Sequence, residues 1–274
     1  MKKILLLVAV ILMASCSTSD DSDNNNGGLI REVKKFLFDA LDTTTTYEYN
    51  SSGNISKITS VSNSETVITT FNYDDNGRMT GFVEETSDVF GDETVETDVF
   101  GYTGDLVTSI CIELETITNE NIPDYADKIE YFYNANGFAE RIDHFWGEDS
   151  EFSDCDDITD LQFSEFLEYD GNGNMIYYLN DNDGFFGPNY YDYTYDSNPH
   201  PLSNVQPEEF NKLYGFSTRN NIASAVEYNA NTDEQSATIS FEYEYNDNGF
   251  PTRLTRVYDA GGFSQTQTFE YTYY

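Results

Sequence analysis

The sequence of 274 residues predicts an all-β protein, an antiparallel up-and-down meander of about sixteen strands that is curled or closed into a barrel-like body. Three observations predict this class. An aromatic unit recurs along the chain, apolar and polar residues alternate beside it, and turn-forming Asn, Asp and Gly follow it. With 38% hydrophobic and 16% aromatic residues, the chain can bury a core despite a net charge of −37.

The recurring unit is an apolar or aromatic pair at i and i+2, then Asn or Asp, two residues and a Gly. Apolar residues follow two and five positions after the Gly. The clearest copies begin at Tyr47, Phe71, Tyr131, Leu167 and Tyr243, and eroded copies begin at Phe100, Tyr193 and Val226. Each copy is interpreted as one β-hairpin, with a bulge after the Gly because the positions there break strict alternation. Eight hairpins and a final strand give about sixteen strands.

The alternation assigns two faces to each strand. In the segment 237–245, Ala237, Ile239, Phe241, Tyr243 and Tyr245 share one side, and Thr, Ser and Glu share the other. One face is therefore expected to be buried and the other wet. A meander of this size must curl, close or fold over. With the aromatic face inward the result is a soluble body, and with that face outward it is a barrel that spans a membrane.

Two segments interrupt the pattern. Between 199 and 216, three prolines precede Glu208 and Glu209, which predicts one short helix near 207–213 that caps one opening of the sheet. A gating or ligand-contacting insert is the alternative. The acidic stretch between Trp146 and Ser164 is expected to form an exposed loop.

The N-terminus has the features of an export signal. Lys2 and Lys3 precede an apolar run of ten residues, 4–13, which is too short to span a bilayer. The sequence Met13-Ala14-Ser15-Cys16 resembles the lipobox of bacterial lipoproteins, and this resemblance implies a signal peptide over 1–15 and acylation of Cys16. Residues 16–28 then form a flexible acidic tether, and 29–274 form a single β-repeat domain. Ser and Asp after the cysteine resemble the export tag of surface lipoproteins in Bacteroidota, with a linker facing the periplasm as the alternative.

The aromatic units also resemble the YD repeats of RHS-type bacterial proteins. More closely, the body from Tyr47 to Tyr274 resembles a family of Bacteroidota lipoproteins with a porin-like β fold, on its Tyr-x-Tyr-Asn-x-x-Gly units and on the stretch Tyr193 to Pro199 leading into Phe210. Pro201 and the shortened turn at Gly104 depart from the pattern. The resemblance implies a fold and an outer-membrane location, with outer-membrane lipid as the partner of acylated Cys16, and it implies no reaction.

Composition excludes several function classes. The charge of −37 would repel nucleic acid and anionic lipid surfaces. The acidic stretch from Asp154 to Asp160 does not fit a calcium loop, so no metal site and no cofactor are expected. The two histidines, His144 and His200, lie in no catalytic motif, so no catalytic residue is nominated and the protein is not expected to be an enzyme.

The remaining cysteines, Cys111 and Cys155, are 44 residues apart and are candidates for a disulfide in an oxidising envelope, with two free thiols as the alternative. The predicted function is a binding module of the cell envelope that presents Trp146, Tyr190 and Tyr191 to a glycan or to an envelope protein. The alternatives are a structural envelope component, an outer-membrane β-barrel, and, least favoured, a glycan-acting hydrolase.

Overall fold

The computed structural model, which describes residues 28–118, 125–147, 155–182, 187–207 and 218–274, is a closed barrel of sixteen antiparallel strands. Each strand pairs with the next along the chain, and β1 closes the barrel by pairing with β16. The predicted up-and-down meander is therefore confirmed. The strands are β1 Ile30–Leu37, β2 Ala40–Tyr49, β3 Ile55–Ser62, β4 Glu65–Tyr73, β5 Met79–Asp88, β6 Glu93–Thr103, β7 Leu106–Thr116, β8 Tyr125–Tyr133, β9 Ala139–Trp146, β10 Asp160–Tyr169, β11 Met175–Asn180, β12 Asn189–Pro199, β13 Asn220–Asn229, β14 Glu234–Tyr245, β15 Pro251–Ala260 and β16 Phe263–Tyr273.

All five clear repeat units form turns at one end of the barrel, which we call the closed end. In the first, the side chain of Asn50 accepts hydrogen bonds from the backbone N–H groups of Ser52 and Asn54, and Gly53 takes a positive φ of 83°. The other four repeat this geometry, with the φ of the glycine between 79° and 86°. The strand register shifts beside each turn, as predicted for a bulge.

The unit that begins at Val226 is not a copy of the repeat, and that prediction is wrong. The turn after Asn229 joins β13 to β14 at the opposite end, which we call the open end. It contains no glycine, and Asp233 takes the positive φ of 57°. Val226 and Tyr228 pair with Asp192 and Tyr190 on the outer wall, so the aromatic there does not enter the core.

The aromatic face of the strands points into the barrel. In β14 the predicted alternation is confirmed, because Ala237 and Ile239 are buried while Thr238, Ser240 and Glu242 are exposed. Apolar residues from all around the barrel form one core. The outer wall is rich in Thr, Ser and charged residues. One row of it alternates in charge across four adjacent strands: Glu244, Arg253, Glu270 and Lys34.

The second aromatic of the repeat unit fastens each hairpin to the one before it. The hydroxyl of Tyr73 donates to the carbonyl oxygen of Ile55 at 2.5 Å, and that of Tyr273 donates to Pro251 at 2.8 Å. In both, the acceptor lies two residues after the turn glycine of the preceding hairpin. Equivalent bonds start at Tyr49, Tyr102, Tyr133 and Tyr195. The fixed spacing of the repeat thus reflects a ring of tyrosine bonds at the closed end.

Residues 200–207, the described start of the insert between β12 and β13, lie across the closed end. The backbone N–H of Ile55, at the start of β3, donates to Gln206 at 2.8 Å, although β3 and β12 lie seven strands apart in the ring of sixteen. Val205 is fully buried and belongs to the barrel core. The part of the insert that is described, 200–207, therefore acts as a plug. The helix predicted near 207–213 lies almost entirely outside the described residues. Among those residues, no helix is long and apolar enough to cross a membrane.

A polar lumen as the candidate functional site

The inner wall changes character along the barrel axis. Tyrosines and aliphatic residues fill the closed end, whereas charged and polar side chains face the lumen toward the open end. The same strands carry both kinds of side chain. Acidic or amide residues occupy inward-facing positions that lie two or four residues from the inward-facing aromatic residues. In β6, for example, Glu96 and Asp98 precede Phe100 and Tyr102 on the inner face.

Four carboxylates form an acidic arc on the inner wall of β5 to β8: Glu84, Glu96, Asp98 and Asp127. Glu84 and Glu96 are directly opposed on neighbouring strands. Asp98 and Asp127 flank Ile112 on either side. Asp98 is only 5% exposed, and its Oδ1 has no hydrogen-bond partner among the described residues. Like charges placed directly across a strand pair destabilise it, so the arc is an electrostatic cost to the fold.

Burial is the main cause of the raised pKa values in the acidic arc. It raises the pKa of Asp98 to about 9, with the negative charges of Glu96 and Glu84 adding to the effect. The pKa of Glu96 rises to about 7 for the same two reasons. Burial raises the pKa of Asp127 to about 6, against a hydrogen bond from the backbone N–H of Gly147 and the nearby His144, which lower it. At neutral pH the arc therefore holds protons that free carboxylates would have lost.

His144 extends this polar wall onto β9. Its Nε2 lies 3.4 Å from Oε1 of Glu165 on β10, and its ring stacks on Phe163 with the ring centres 4.3 Å apart. All three side chains share the inward parity of Ile142 and Leu167. Imidazole, carboxylate and ring therefore face the lumen together.

A second polar wall lies on β12 to β16, around Arg256. The guanidinium is near Tyr191, Tyr193 and Tyr258, and burial lowers its pKa. The Arg256 Nε is enclosed without a hydrogen-bond partner in the described part of the chain. Tyr258 donates to Glu227 at 3.4 Å, and Glu227 also bonds Tyr191. We call these groups the arginine wall.

A cavity of about 190 Å³ opens beside the arginine wall. Its lining carries hydrogen-bond donors and acceptors together with two aromatic rings, and its residues are Arg256, Tyr258, Phe263, Gln265 and Gln267. Planar polar side chains combined with aromatic rings can bind a ring that carries hydroxyl groups, the polar groups by hydrogen bonds and the rings by stacking.

A disulfide joins Cys111 and Cys155, whose Cα atoms are 5.8 Å apart. Cys111 faces outward on β7, and Cys155 begins a short 3-10 helix, Cys155–Asp157, that packs against β8. The part of the β9–β10 connection that is described is thus held on the outer wall. The side chains of Ala126 and Lys128 face outward there yet are buried, and Ile158 is buried with them. We call the described part of this connection, 155–159, the strap.

Large apolar side chains are exposed around the open end. Phe90, in the β5–β6 turn, is 87% exposed, and Phe38 stands in the β1–β2 turn. Val89, Ile117 and Phe263 belong to the same rim. Apolar side chains gathered at one end of a molecule are typical of an interaction surface.

The three aromatic residues predicted to bind a ligand do not lie together. Tyr191 faces the lumen within the arginine wall, opposite Tyr178. Trp146 has inward parity at the end of β9, where it is 39% exposed at the rim. Tyr190 faces outward, stacked on Tyr228 with the ring centres 4.8 Å apart and bonded to Asp233. Cys16, the predicted lipid attachment site, lies outside the described residues.

Sequence reasoning missed the acidic arc and Arg256. The signal was parity: Glu96 and Asp98 alternate in step with Phe100, and Arg256 alternates in step with Leu254. A charged residue that shares a strand face with the aromatic residues indicates that this face lines a polar lumen. In the described ranges, no three His, Cys, Asp or Glu side chains are grouped so that they could hold a metal ion.

Comparison with known proteins supports the fold. No family model matches the chain, and no curated protein matches it. Among solved structures, a porin-like protein from Bacteroides uniformis is similar, with a TM-score of 0.54 and 17% sequence identity over 88% of this chain and 95% of that one. A porin-like protein from Bacteroides vulgatus matches with a TM-score of 0.40 and 11% identity, over 89% of this chain and 98% of that one. The closed barrel and its similarity to the Bacteroides uniformis structure show a porin-like β-barrel fold.

Proposed function

We propose that the protein is an envelope lipoprotein, anchored in the outer membrane through acylated Cys16, whose barrel is a cup that binds a glycan through its open end. The observation that carries this proposal is the arrangement of the lumen. It is plugged at the closed end and lined at the other by the arginine wall and its cavity of about 190 Å³.

The outer wall supports a barrel that stands in water and does not span the bilayer. Glu244, Arg253 and Glu270 are exposed and lie side by side on β14 to β16, with Lys34 next to them on β1. Charged side chains on the lipid-facing side of a barrel destabilise it in a bilayer. Acylation then supplies the membrane attachment that the barrel wall does not.

The position of the N-terminal tether supports an open end that faces away from the membrane. The chain enters β1 at Ile30 on the closed end, where the backbone N–H of Tyr274 donates to Leu29 at 3.0 Å. The acidic tether predicted over residues 16–28 joins Cys16 to this end of the barrel. A lipid anchor at the closed end leaves the open end pointing away from the membrane. With the Ser- and Asp-rich export tag in use, the open end faces the cell exterior.

A glycan array tests the cup. The mature chain with Cys16→Ser, which carries no acyl group, should bind a restricted set of glycans. Arg256→Ala should lower that binding at least about tenfold, since it removes a lumen group that can hold a ligand by paired hydrogen bonds. The matched control is Arg253→Ala, on the outer face of the same strand. Equal loss in both variants, or no binding by the parent chain, would contradict the proposal.

A partner-docking role is the second candidate, and the apolar rim favours it. Phe38, Phe90 and Phe263 are exposed at the open end of a barrel that leaves no strand edge unpaired in the described ranges. Cross-linking in intact cells through a photoreactive residue at position 90 should then yield one defined adduct, and a residue at position 57 on the barrel wall should yield none. A smear of products from both positions would count against a docking surface.

A further inference from the structure

We propose that the acidic arc on β5 to β8 is a subsite for a protonated amine, so that the ligand of the cup is an amino sugar. This inference rests on the proposed function, because it assigns a substrate class to the same lumen. It draws on residues that lie on the opposite strands from the arginine wall.

The first argument is uncompensated charge. Glu84, Glu96, Asp98 and Asp127 face the lumen from three strands, and the inward residues of β7 between them, such as Ile110 and Ile112, are apolar. Lys128, the nearest lysine in sequence, is on the outer face of β8, where its Nζ lies 3.0 Å from Glu130. Among the described residues, no lysine or arginine contributes to the pKa shifts of the arc carboxylates, and His144 on β9 is the basic side chain near Asp127. The described residues thus place no lysine or arginine side chain against the arc to balance its carboxylates.

The second argument is Asp98. It is one of the most enclosed carboxyl groups of the barrel, and Oδ1 has no hydrogen-bond partner in the described residues. A buried acceptor without a partner costs free energy, and a ligand donor aimed at it recovers that cost. An ammonium group offers three donors and a positive charge in one small volume.

The third argument is geometry. The four carboxylates are spread over several strands and do not converge on one point, which suits an extended ligand with one or more amines better than a compact ion. Two aromatic side chains with inward parity, Trp146 on β9 and Phe163 on β10, lie next along the inner wall, with His144 stacked on one face of Phe163. A sugar ring that carries an amine would use both groups, the carboxylates for its charge and the aromatic faces for its ring.

Isothermal titration of the mature Cys16→Ser chain with the trisaccharide of glucosamine tests the inference, with its fully N-acetylated counterpart as the matched ligand. Both ligands have the same sugar backbone, and only the first carries amines. At pH 7 and 150 mM salt, the glucosamine trisaccharide should bind at least about tenfold more tightly. Titration in two buffers of different ionisation enthalpy should show more protons released, or fewer taken up, by the parent chain than by Asp98→Asn, since the bound amine favours the ionised form of Asp98.

Variants distinguish binding by the acidic arc from attraction of the ligand to the net negative charge of the chain. Asp98→Asn and Glu96→Gln should each weaken the glucosamine trisaccharide at least about tenfold, and the outer-wall control Glu242→Gln should not. If the control weakens binding equally, the attraction belongs to the net charge of the chain and the inference is wrong. If both trisaccharides bind equally, the amine subsite is overturned while the cup survives. If neither binds, the inference is wrong, and the Arg256→Ala array result still decides the cup.

Discussion

Single tyrosine hydroxyls hold the closed end together, because each ties one hairpin to its predecessor. The hydroxyl of Tyr133 donates to Val107 at 2.5 Å, and burial raises its pKa to about 12. Tyr133→Phe leaves that carbonyl without its partner and should lower the free energy of unfolding by about 1 kcal/mol. Chemical denaturation measures the change. Tyr228→Phe, on the outer wall, is the control and should leave stability within about 0.5 kcal/mol.

One glycine is fixed by close packing between strands. Gly81 in β5 has a φ of 151°, and a Cβ added there would lie 1.9 Å from the backbone oxygen of Asp98. Gly81→Ala should therefore lower stability by about 3 kcal/mol or more and disturb the acidic arc. Gly171→Ala is the control, since a Cβ there meets nothing within 4 Å. Equal thermal midpoints for the two variants would disprove this close contact.

The acidic arc makes stability depend on pH. The folded pKa values of Asp127, Glu96 and Asp98, about 6, 7 and 9, exceed those of an unfolded chain, about 4. The folded barrel therefore holds more protons than the unfolded chain between about pH 4 and 9, and stability falls as pH rises through that window. Below this pH window, stability falls as pH falls, because the pKa of Asp42 is lowered in the folded chain by its pairing with Lys35.

The prediction is a thermal midpoint that is highest near pH 5 and declines toward pH 9. Asp98→Asn removes the group with the highest of these pKa values and should raise stability at pH 8 by about 1–3 kcal/mol, with little change at pH 5. Asp259→Asn, exposed on the outer wall, is the control. A midpoint that rises between pH 6 and 9 would refute this account of the arc.

At the level of elements, a covalent bond holds the strap against the outer wall. The disulfide between Cys111 and Cys155 closes a separation of 44 residues, for which chain entropy predicts about 4 kcal/mol of stabilisation. Cys111→Ala with Cys155→Ala should lower stability by about 2–4 kcal/mol and expose Lys128 to amine-reactive label. Mass spectrometry of the labelled peptide measures the second effect. Unchanged labelling would show that the strap stays in place without the disulfide.

The strands and turns could be predicted because their signals are local. Asn50, two residues and Gly53 determine one turn by themselves, and the same chemistry repeats at Asp74, Asn134, Asp170 and Asn246. The eroded unit at Val226 was misassigned because the sequence does not show which end of the barrel a turn occupies. The site was harder, since the groups of the arginine wall come from β12, β13 and β15 and meet only through strand pairing, and Arg256 alone has no sequence motif.

For the whole molecule, alternation predicted two faces but not their direction. The same pattern of Phe241, Glu242 and Tyr243 describes a barrel in water or one in lipid. The structure places the aromatic face inside and a charged row outside, from Glu244 through Arg253 and Glu270 to Lys34. Such a barrel is porin-like in fold, and by the polarity of its wall we propose that it works in water at the end of a lipid anchor.

Size-exclusion chromatography with light scattering on the mature Cys16→Ser chain, in buffer without detergent, tests this claim most directly. The account predicts a monodisperse species whose far-ultraviolet circular dichroism is that of β-structure, and whose elution does not change when detergent is added. A chain that stays folded and dispersed only in micelles would contradict it.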